Sequence, residues 1–492
     1  MSVPHDPPSA SGSPRPGKPS PDEIVQPAQA GVEPVTRRVL GRRATAWALW
    51  DWGSASFNAV VTTFIFSTYL ASGLFVDPAI VEAAGEAGSP ELTRALADNA
   101  SIVAWAVAIA GVLVALIAPI VGQRSDGGGR RKLWVGVNTA LTILAMVGMF
   151  FVTPVPQGIW LGAALLAAGN LFFEFASVNY NAMLHQVSTK ESLGRTSGYG
   201  WGMGYVGGIV LLGLLLVLFI FPIVDGGAAG NGILNVPAGR DGGALDVRLA
   251  VLASAVWFLV FALPLMLRVP ELPPTGAAPK RVGLVESYRI LFRTIGRIGR
   301  RSPKTLLFLI ASAVFRDGLS GVFTFGAIIA AQVFDFTSTE VILFAIAANV
   351  TAGIGTFVGG WADDRFGPKV VIIISLLALA GSGVAVMFID SGAKGLFWVF
   401  GLALATFVGP VQSASRSFMA RITPEGREGE MFGLYATTGR SVSFLTASLF
   451  GAFVGLSGNT QFGILAIVIV LVAGLLLVLP VSPKPAVIDD RD

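Results

Sequence analysis

The chain contains no cysteine, and only 13% of its 492 residues are charged. The absence of thiols excludes disulfide bonds, cysteine catalysis and zinc sites built on cysteine. Histidine is scarce too: His5 and His185 have no companion at metal-ligand spacing, so we expect no metal site. We also find no phosphate loop and no nucleophile beside a base, and therefore expect neither a cofactor nor an enzyme.

Apolar residues dominate what is present. They make up 53% of the chain, whose mean hydropathy is +0.71, whereas soluble domains are polar on average and about a quarter charged. Apolar runs of about 20 residues recur, and each can cross a bilayer core of about 30 Å. Lipid offers no hydrogen-bond partner to a bare backbone, and the runs lack barrel alternation, so we expect helices.

The fold class is therefore an all-α membrane protein with twelve transmembrane helices in two six-helix halves. The predicted spans are 44–75, 99–121, 132–153, 158–185, 198–222, 247–267, 305–332, 340–361, 369–389, 395–420, 431–456 and 461–480. They divide the chain into a disordered tail (1–43), a first half (44–267), a basic cytoplasmic linker (268–304), a second half (305–480) and a second tail (481–492).

The basic residues indicate the orientation. Lys and Arg gather in alternate loops, in the first tail and in the linker, where a basic surface helix is predicted from Leu284 to Arg301. The opposite loops hold few of them: Arg94, Arg240, Arg248 and Lys394. Both termini should therefore be cytoplasmic. Because topology accounts for the basic residues, we expect no nucleic-acid partner.

A short motif occurs once in each half. Glycine, aspartate and glycine stand at identical offsets after the second and the eighth span, followed by basic residues. The two copies contain Gly122, Asp126, Gly129, Arg130 and Arg131, and Gly360, Asp364, Arg365, Gly367 and Lys369. Matched positions in two halves indicate duplication.

The motif resembles the signature loop of the major facilitator superfamily, which has the form G-x-x-x-D-x-x-G-[RK]-[RK] and lies on the cytoplasmic side. We expect Asp126 to accept hydrogen bonds from nearby helix N-terminal amides, or from an arginine across the seam between the halves. Such contacts would form a cytoplasmic gate that holds one face shut. The alternative is that the charges only determine topology.

A closer resemblance lies in several stretches of the spans. They are residues 50–54 with Phe57, 315–318, 353–355 and 363–367, and 412–417 with 433–435. Together they resemble the bacterial unknown-major-facilitator group, which is related to the autophagy-linked vacuolar effluxers of fungi. The resemblance implies a twelve-span transporter and, for the fungal relatives, export of amino acids.

Several polar side chains fall inside the predicted spans, where an ionisable group costs at least about 2.5 kcal/mol to insert and is a functional candidate. The substrate and proton pathway is predicted to contain Asp51, Asn58, Glu174, Asn181, Arg316, Asp317, Gln412, Arg416 and Arg440. Steps of three and four join Asp51 to Ser54, Asn58 and Thr62, a spacing that lines one helix face. The resemblance places spans one, four, seven, ten and eleven around a central cavity.

The charges suggest a coupling hypothesis. Glu174 or Asp51 takes up a proton, and this breaks a pair with Arg316 or Arg440. The alternative is fixed ion pairing between helices, with Arg416 snorkelling to the interface.

The predicted function is secondary active transport by alternating access, coupled to protons, with amino-acid export as the first choice. The alternatives are a sugar or a drug-like substrate, or a receptor that transports nothing. We expect a monomer in the lipid bilayer of a bacterial plasma membrane, with a small-molecule substrate and protons as partners.

Overall fold

The computed structural model describes residues 20–482 apart from 30–31, 86–87, 129, 221–231, 272–283 and 391. Helices account for nearly all of it. Before the linker they are α1 Arg37–Ala55, α2 Phe66–Ala71, α3 Pro78–Ala84, α4 Pro90–Gly128, α5 Arg131–Met149, α6 Gly158–Ala182, α7 Leu184–Val187, α8 Leu193–Leu215 and α9 Leu245–Arg268. The rest are α10 Leu284–Arg301, α11 Pro303–Val333, α12 Ser338–Phe366, α13 Pro368–Met387, α14 Lys394–Ile422, α15 Glu428–Val442, α16 Leu445–Ser457 and α17 Gly463–Val478.

Eleven helices of the described chain are long and apolar enough to cross a membrane, five before the linker and six after it. The first predicted span, 44–75, is not among them. Helix continues without a break from α1 through a π-helical stretch, Ser56–Ile65, into α2. The count of twelve spans therefore stays a prediction.

The π-helical stretch changes the register of this first span. Its hydrogen bonds reach five residues back, as in the bond from the Phe66 N–H to the Val61 carbonyl, so each turn takes more residues than an α-turn. The stripe predicted at steps of three and four stays a prediction. Ser54 is buried, whereas Asn58 is exposed.

The first tail is not disordered throughout. Residues 1–19 lie outside the described residues, but Ile24–Val25 and Val35–Thr36 pair as antiparallel strands β1 and β2, and α1 already begins at Arg37. The prediction of disorder over 1–43 is wrong for the described part. The segment lacks apolar periodicity, but it is held by hydrogen bonds to the folded bundle.

Four helix pairs form the seam between the two halves. Helix α4 packs against α15, α6 also packs against α15, and α8 packs against both α12 and α14. The linker helix α10 has the bounds predicted from the sequence and packs on α4 and α11. Residues 272–283 of the predicted linker lie outside the described residues. The seam therefore brings together the ends of α4, α8, α12 and α15, where the two motif copies stand.

Candidate functional site

Asp126 joins the two halves at the end of α4. Its carboxylate accepts hydrogen bonds of 2.8 Å from the N–H groups of Gly429 and Glu430, in the first turn of α15. The first amides of a helix lack partners within the helix and carry partial positive charge, so a carboxylate stabilises them. The predicted contact with helix N-terminal amides is present, and it crosses the seam.

Arg131 binds the same carboxylate from within the first half, at 2.6 Å. Its guanidinium also pairs with Glu428 across the seam at 2.5 Å, and the two side chains are 4% and 2% exposed. Nearby, His185 Nε2 lies 3.0 Å from the Ala420 carbonyl oxygen of the second half. Burial lowers the pKa of His185 and favours its neutral form, although the Glu428 charge opposes this effect. His185 is thus a buried contact across the seam.

The second motif copy makes the reciprocal contact. Asp364, near the end of α12, accepts hydrogen bonds from the N–H groups of Gly194 and Arg195, at 2.8 and 3.2 Å. These amides lie in the first turn of α8, in the first half. The Arg195 side chain binds the same carboxylate at 2.7 Å. Each half therefore supplies an aspartate that caps a helix of the other half.

Asp363 is a seam residue that the sequence analysis missed. Its carboxylate binds the Ser417 hydroxyl and pairs with Arg421 at 3.1 Å, and the residue is buried. The adjacent pair of aspartates was the available signal, but the motif comparison drew attention only to the second of them.

The other polar motif residues lie elsewhere. Lys369 donates to two carbonyl oxygens just after α17, at 2.6 and 2.8 Å, within its own half. Arg365 lies over two aromatic rings of its own helix, and Arg130 is exposed. The prediction of gate contacts is wrong for Lys369 and Arg365. Gly367, with a φ of 87°, provides the turn from α12 into α13, and Gly129 lies outside the described residues.

The motif glycines bring the two backbones together. A Cβ at Gly122 would overlap the carbonyl oxygen of Gly429, and one at Gly360 would lie 2.9 Å from the carbonyl oxygen of Gly194. Any side chain at these positions would separate the helices that Asp126 and Asp364 bind. The first glycine of each motif copy is thus required by the closed seam.

We call the end of the seam where α4 meets the start of α15, and α12 meets the start of α8, the motif end. We therefore predict that Gly122→Ala opens the motif end, because the added methyl group cannot coexist with the α15 backbone. Faster labelling of a cysteine introduced at Ser125, which is buried at this end, would measure the change. Gly111→Ala is the matched control, since it lies in the same helix with nothing within 4 Å of an added Cβ. Equal labelling rates in the two variants would contradict the prediction.

Arg416 is buried in the bundle interior and binds several groups of the first half. It extends from α14 into the first half, where it pairs with Asp51 at 3.2 Å and donates to Asn181 Oδ1 at 3.3 Å. It also donates to the Ser197 hydroxyl and carbonyl oxygens, at 2.9 and 2.5 Å. These contacts join α1, α6 and α8 to α14.

Aromatic rings surround the same guanidinium. Its carbon lies 4.9 Å from the ring centre of Trp47, 5.5 Å from that of Trp201 and 5.9 Å from that of Tyr180. Gly200 leaves the space, because a Cβ there would lie 2.9 Å from the guanidinium nitrogen. The snorkelling alternative is wrong for Arg416, whose side chain is 4% exposed.

A second ion pair crosses the seam further from the motif end. Arg440 of α15 binds Glu174 of α6. Arg440 lies twelve residues from the start of its helix, about 18 Å, whereas Arg416 lies six residues from the end of α14, about 9 Å. The side chains of Glu174 and Arg440 are 21% and 31% exposed, against 17% for Asp51. The seam is therefore tight at the motif end and looser away from it.

The other predicted pathway residues of the second half differ in what they contact. Arg316 is half-buried, lies 4.1 Å over the Tyr435 ring and donates to the Tyr435 carbonyl at 3.3 Å. Asp317 points away from it and accepts from the Thr446 N–H and hydroxyl, at 2.7 and 2.5 Å, within the second half. The predicted pairing of Arg316 with Asp51 or Glu174 is wrong. Gln412 is half-buried one turn from Arg416, on the face predicted for it.

The fold and the paired halves are those of the major facilitator superfamily of multi-pass membrane proteins. The crystal structure of the superfamily transporter FucP in its outward conformation matches this fold with a TM-score of 0.65 over 89% of this chain and 98% of that chain, at 14% identity. The sequence is also similar to an uncharacterized MFS-type transporter of Bacillus subtilis, YxiO, with 22% identity over 89% of this chain and 94% of that protein.

The family model described as "Vacuole effluxer Atg22 like" matches residues 185–487, and the chain belongs to this family. Autophagy-related protein 22 of Cryptococcus neoformans is 24% identical over 316 residues, which cover 59% of this chain and 53% of that protein. The match thus spans about half the length of this fungal relative.

Proposed function

We propose that the protein exports a small zwitterion, an amino acid in the first instance, from a bacterial cytoplasm by proton-coupled alternating access. It acts as a monomer in the plasma membrane. The unbroken helix from α1 to α2 provides the twelfth span, and the motif end with both termini faces the cytoplasm. The family model is named for vacuole effluxers, and the Bacillus relative supports the bacterial setting.

One observation carries the proposal: two ion pairs inside the bundle link the halves, Asp51 to Arg416 and Glu174 to Arg440. In each pair the carboxylate belongs to the first half and the arginine to the second. Protonation of the carboxylate removes its charge, and the attraction across the seam with it. Proton uptake can therefore weaken the closed state, which is the coupling that transport needs.

Arg316 supports a substrate that carries a carboxylate. No carboxylate of the described residues pairs with it, and its guanidinium instead lies against Tyr435. A Cβ at Gly439 would lie 3.1 Å from it, so this glycine leaves it room. A guanidinium binds a carboxylate through two parallel hydrogen bonds. In its ionised form, the partly exposed Glu174 would attract an ammonium group.

A binding screen followed by counterflow tests the function. Ligands that bind the folded protein raise its melting temperature, so purified protein is heated with amino acids, sugars and common drugs. The active ligands then enter counterflow measurements in proteoliposomes. Stabilisation by amino acids with counterflow supports the proposal. Stabilisation by sugars or drugs alone supports the alternative substrates, and binding without counterflow would indicate a receptor.

We predict that Arg316→Gln weakens binding of the substrate by about tenfold to a hundredfold, since a hydrogen bond to a charged group contributes roughly 1.5–3 kcal/mol. The same variant should lose its preference for the free acid over the methyl ester. Arg293→Gln, on the exposed face of α10, serves as the control. An unchanged preference for the acid in Arg316→Gln would contradict the assignment.

A further inference from the structure

We propose that residues 25–29 form a strap that holds the motif end of the seam closed, with Gln29 as its positioning residue. The proposal rests on the alternating access proposed above. It adds an element outside the two helical halves to the gate. The contacts of the strap, rather than its sequence, assign this role.

The strap is attached to the first half through its backbone. The N–H of Ala28 donates to the Ser188 carbonyl at 2.7 Å, and the N–H of Gln29 donates to the His185 carbonyl at 2.9 Å. Val25, the first residue of the strap, lies in β1, which pairs with β2. Val25, Ala28 and Gln29 are buried. When the halves separate, these bonds keep the strap with the first half.

The Gln29 side chain lies between the two halves, and the residue as a whole is 3% exposed. Its amide oxygen accepts from Arg131 at 3.0 Å, and its amide nitrogen donates to Glu428 at 3.1 Å. An amide presents one acceptor and two donors, so it satisfies a cation and an anion at once. Here the cation belongs to the first half and the anion to the second.

Opening the motif end must therefore break the bond between Gln29 and Glu428. Arg131 and Glu428 also pair directly, so the three groups form one network. A hydrogen bond to a buried charged group is stronger than one between neutral groups. The strap thereby stabilises the closed state without touching Asp51, Glu174 or Arg316. Its contribution is to the equilibrium between the states, not to substrate binding.

The chain offers a matched pair of variants. Gln29→Ala removes the bridging amide, and Gln26→Ala removes an amide three residues away that is exposed and bonds only within the hairpin, to the Val32 carbonyl. The natural absence of cysteine allows spin labels to be placed on introduced cysteines alone. Labels at Lys190 and Glu425, both exposed, report on the motif end. Labels at Glu91 and Leu456 report on the opposite end.

Pulsed electron spin distance measurements on the full chain in nanodiscs then decide the proposal. We expect Gln29→Ala to shift the population toward the open motif end by about tenfold or more relative to Gln26→Ala, with a shorter distance at the opposite end. Unchanged distances at both ends in Gln29→Ala would overturn the strap. A change at the motif end alone would also overturn it, because it would indicate local fraying.

The readout does not depend on the substrate. A population shift in Gln29→Ala together with failure of amino-acid counterflow in the unmodified protein would sink the proposed function and leave the strap standing. Normal counterflow with no population shift in Gln29→Ala would overturn the strap and support the proposed function. A melting temperature measured for each variant shows that the compared proteins are folded.

Discussion

Transport stops when Arg416 is replaced by glutamine. The guanidinium is the common partner of Asp51, Asn181 and Ser197 and is nearly inaccessible to solvent. Glutamine removes its charge and leaves Asp51 in the bundle interior without a counter-ion. Removing one member of a buried ion pair costs about 3–5 kcal/mol, and each 1.4 kcal/mol is a factor of ten. Counterflow should therefore fall by at least about a hundredfold.

A charge-balanced double variant separates the ion pair from the fold. Asp51→Asn with Arg416→Gln leaves no unpaired charge, so it should recover stability, measured as the melting temperature, while counterflow remains low. Arg300→Gln, at an exposed site of α10, is the control for the loss of one arginine. Counterflow close to that of the unmodified protein in Arg416→Gln would show that the pair has no part in transport.

Proton-driven flux is lost in Glu174→Gln, whereas exchange of substrate for substrate continues. The amide keeps the shape of the carboxyl group and can still accept a hydrogen bond from Arg440, but it cannot bind or release a proton. Net flux driven by a pH gradient should therefore fall to background, because the side chain that carries the proton is gone. Exchange should change by no more than about threefold, since it needs no net proton transfer.

Asp317→Asn is the control for this second result. Asp317 is also a carboxylate within a predicted span, but it is bound to Thr446 inside the second half. Its replacement should lower the melting temperature and leave the ratio of proton-driven flux to exchange unchanged. Proton-driven flux that survives in Glu174→Gln would rule out the coupling role of Glu174.

The features predicted correctly are those that local sequence determines. The α10 bounds follow from an amphipathic pattern, and Asp126 follows from a motif that occurs twice. The motif predicts a helix terminus beside the aspartate, because its glycines and basic residues mark a tight turn between helices.

The failures concern partners that are distant in the chain. Asp51 and Arg416 are separated by 365 residues, and no periodicity specifies that they meet. The carboxylate partner predicted for Arg316 is wrong because the direction of this side chain on α11 places it against Tyr435. The π-helical stretch was missed because a hydropathy pattern does not reveal a change in hydrogen-bond register. The strap was missed since its order depends on contacts with α7, not on its composition.

The reciprocal caps have a consequence for how the closed end opens. Asp126 and Asp364 each bind the first amides of a helix that belongs to the other half. A rigid tilt of one half that separates Asp126 from the first amides of α15 would also stretch the hydrogen bonds between Asp364 and the first amides of α8. The two contacts are therefore expected to break together. The two aspartates would then release together, so the motif end would be either closed or open rather than opening by degrees.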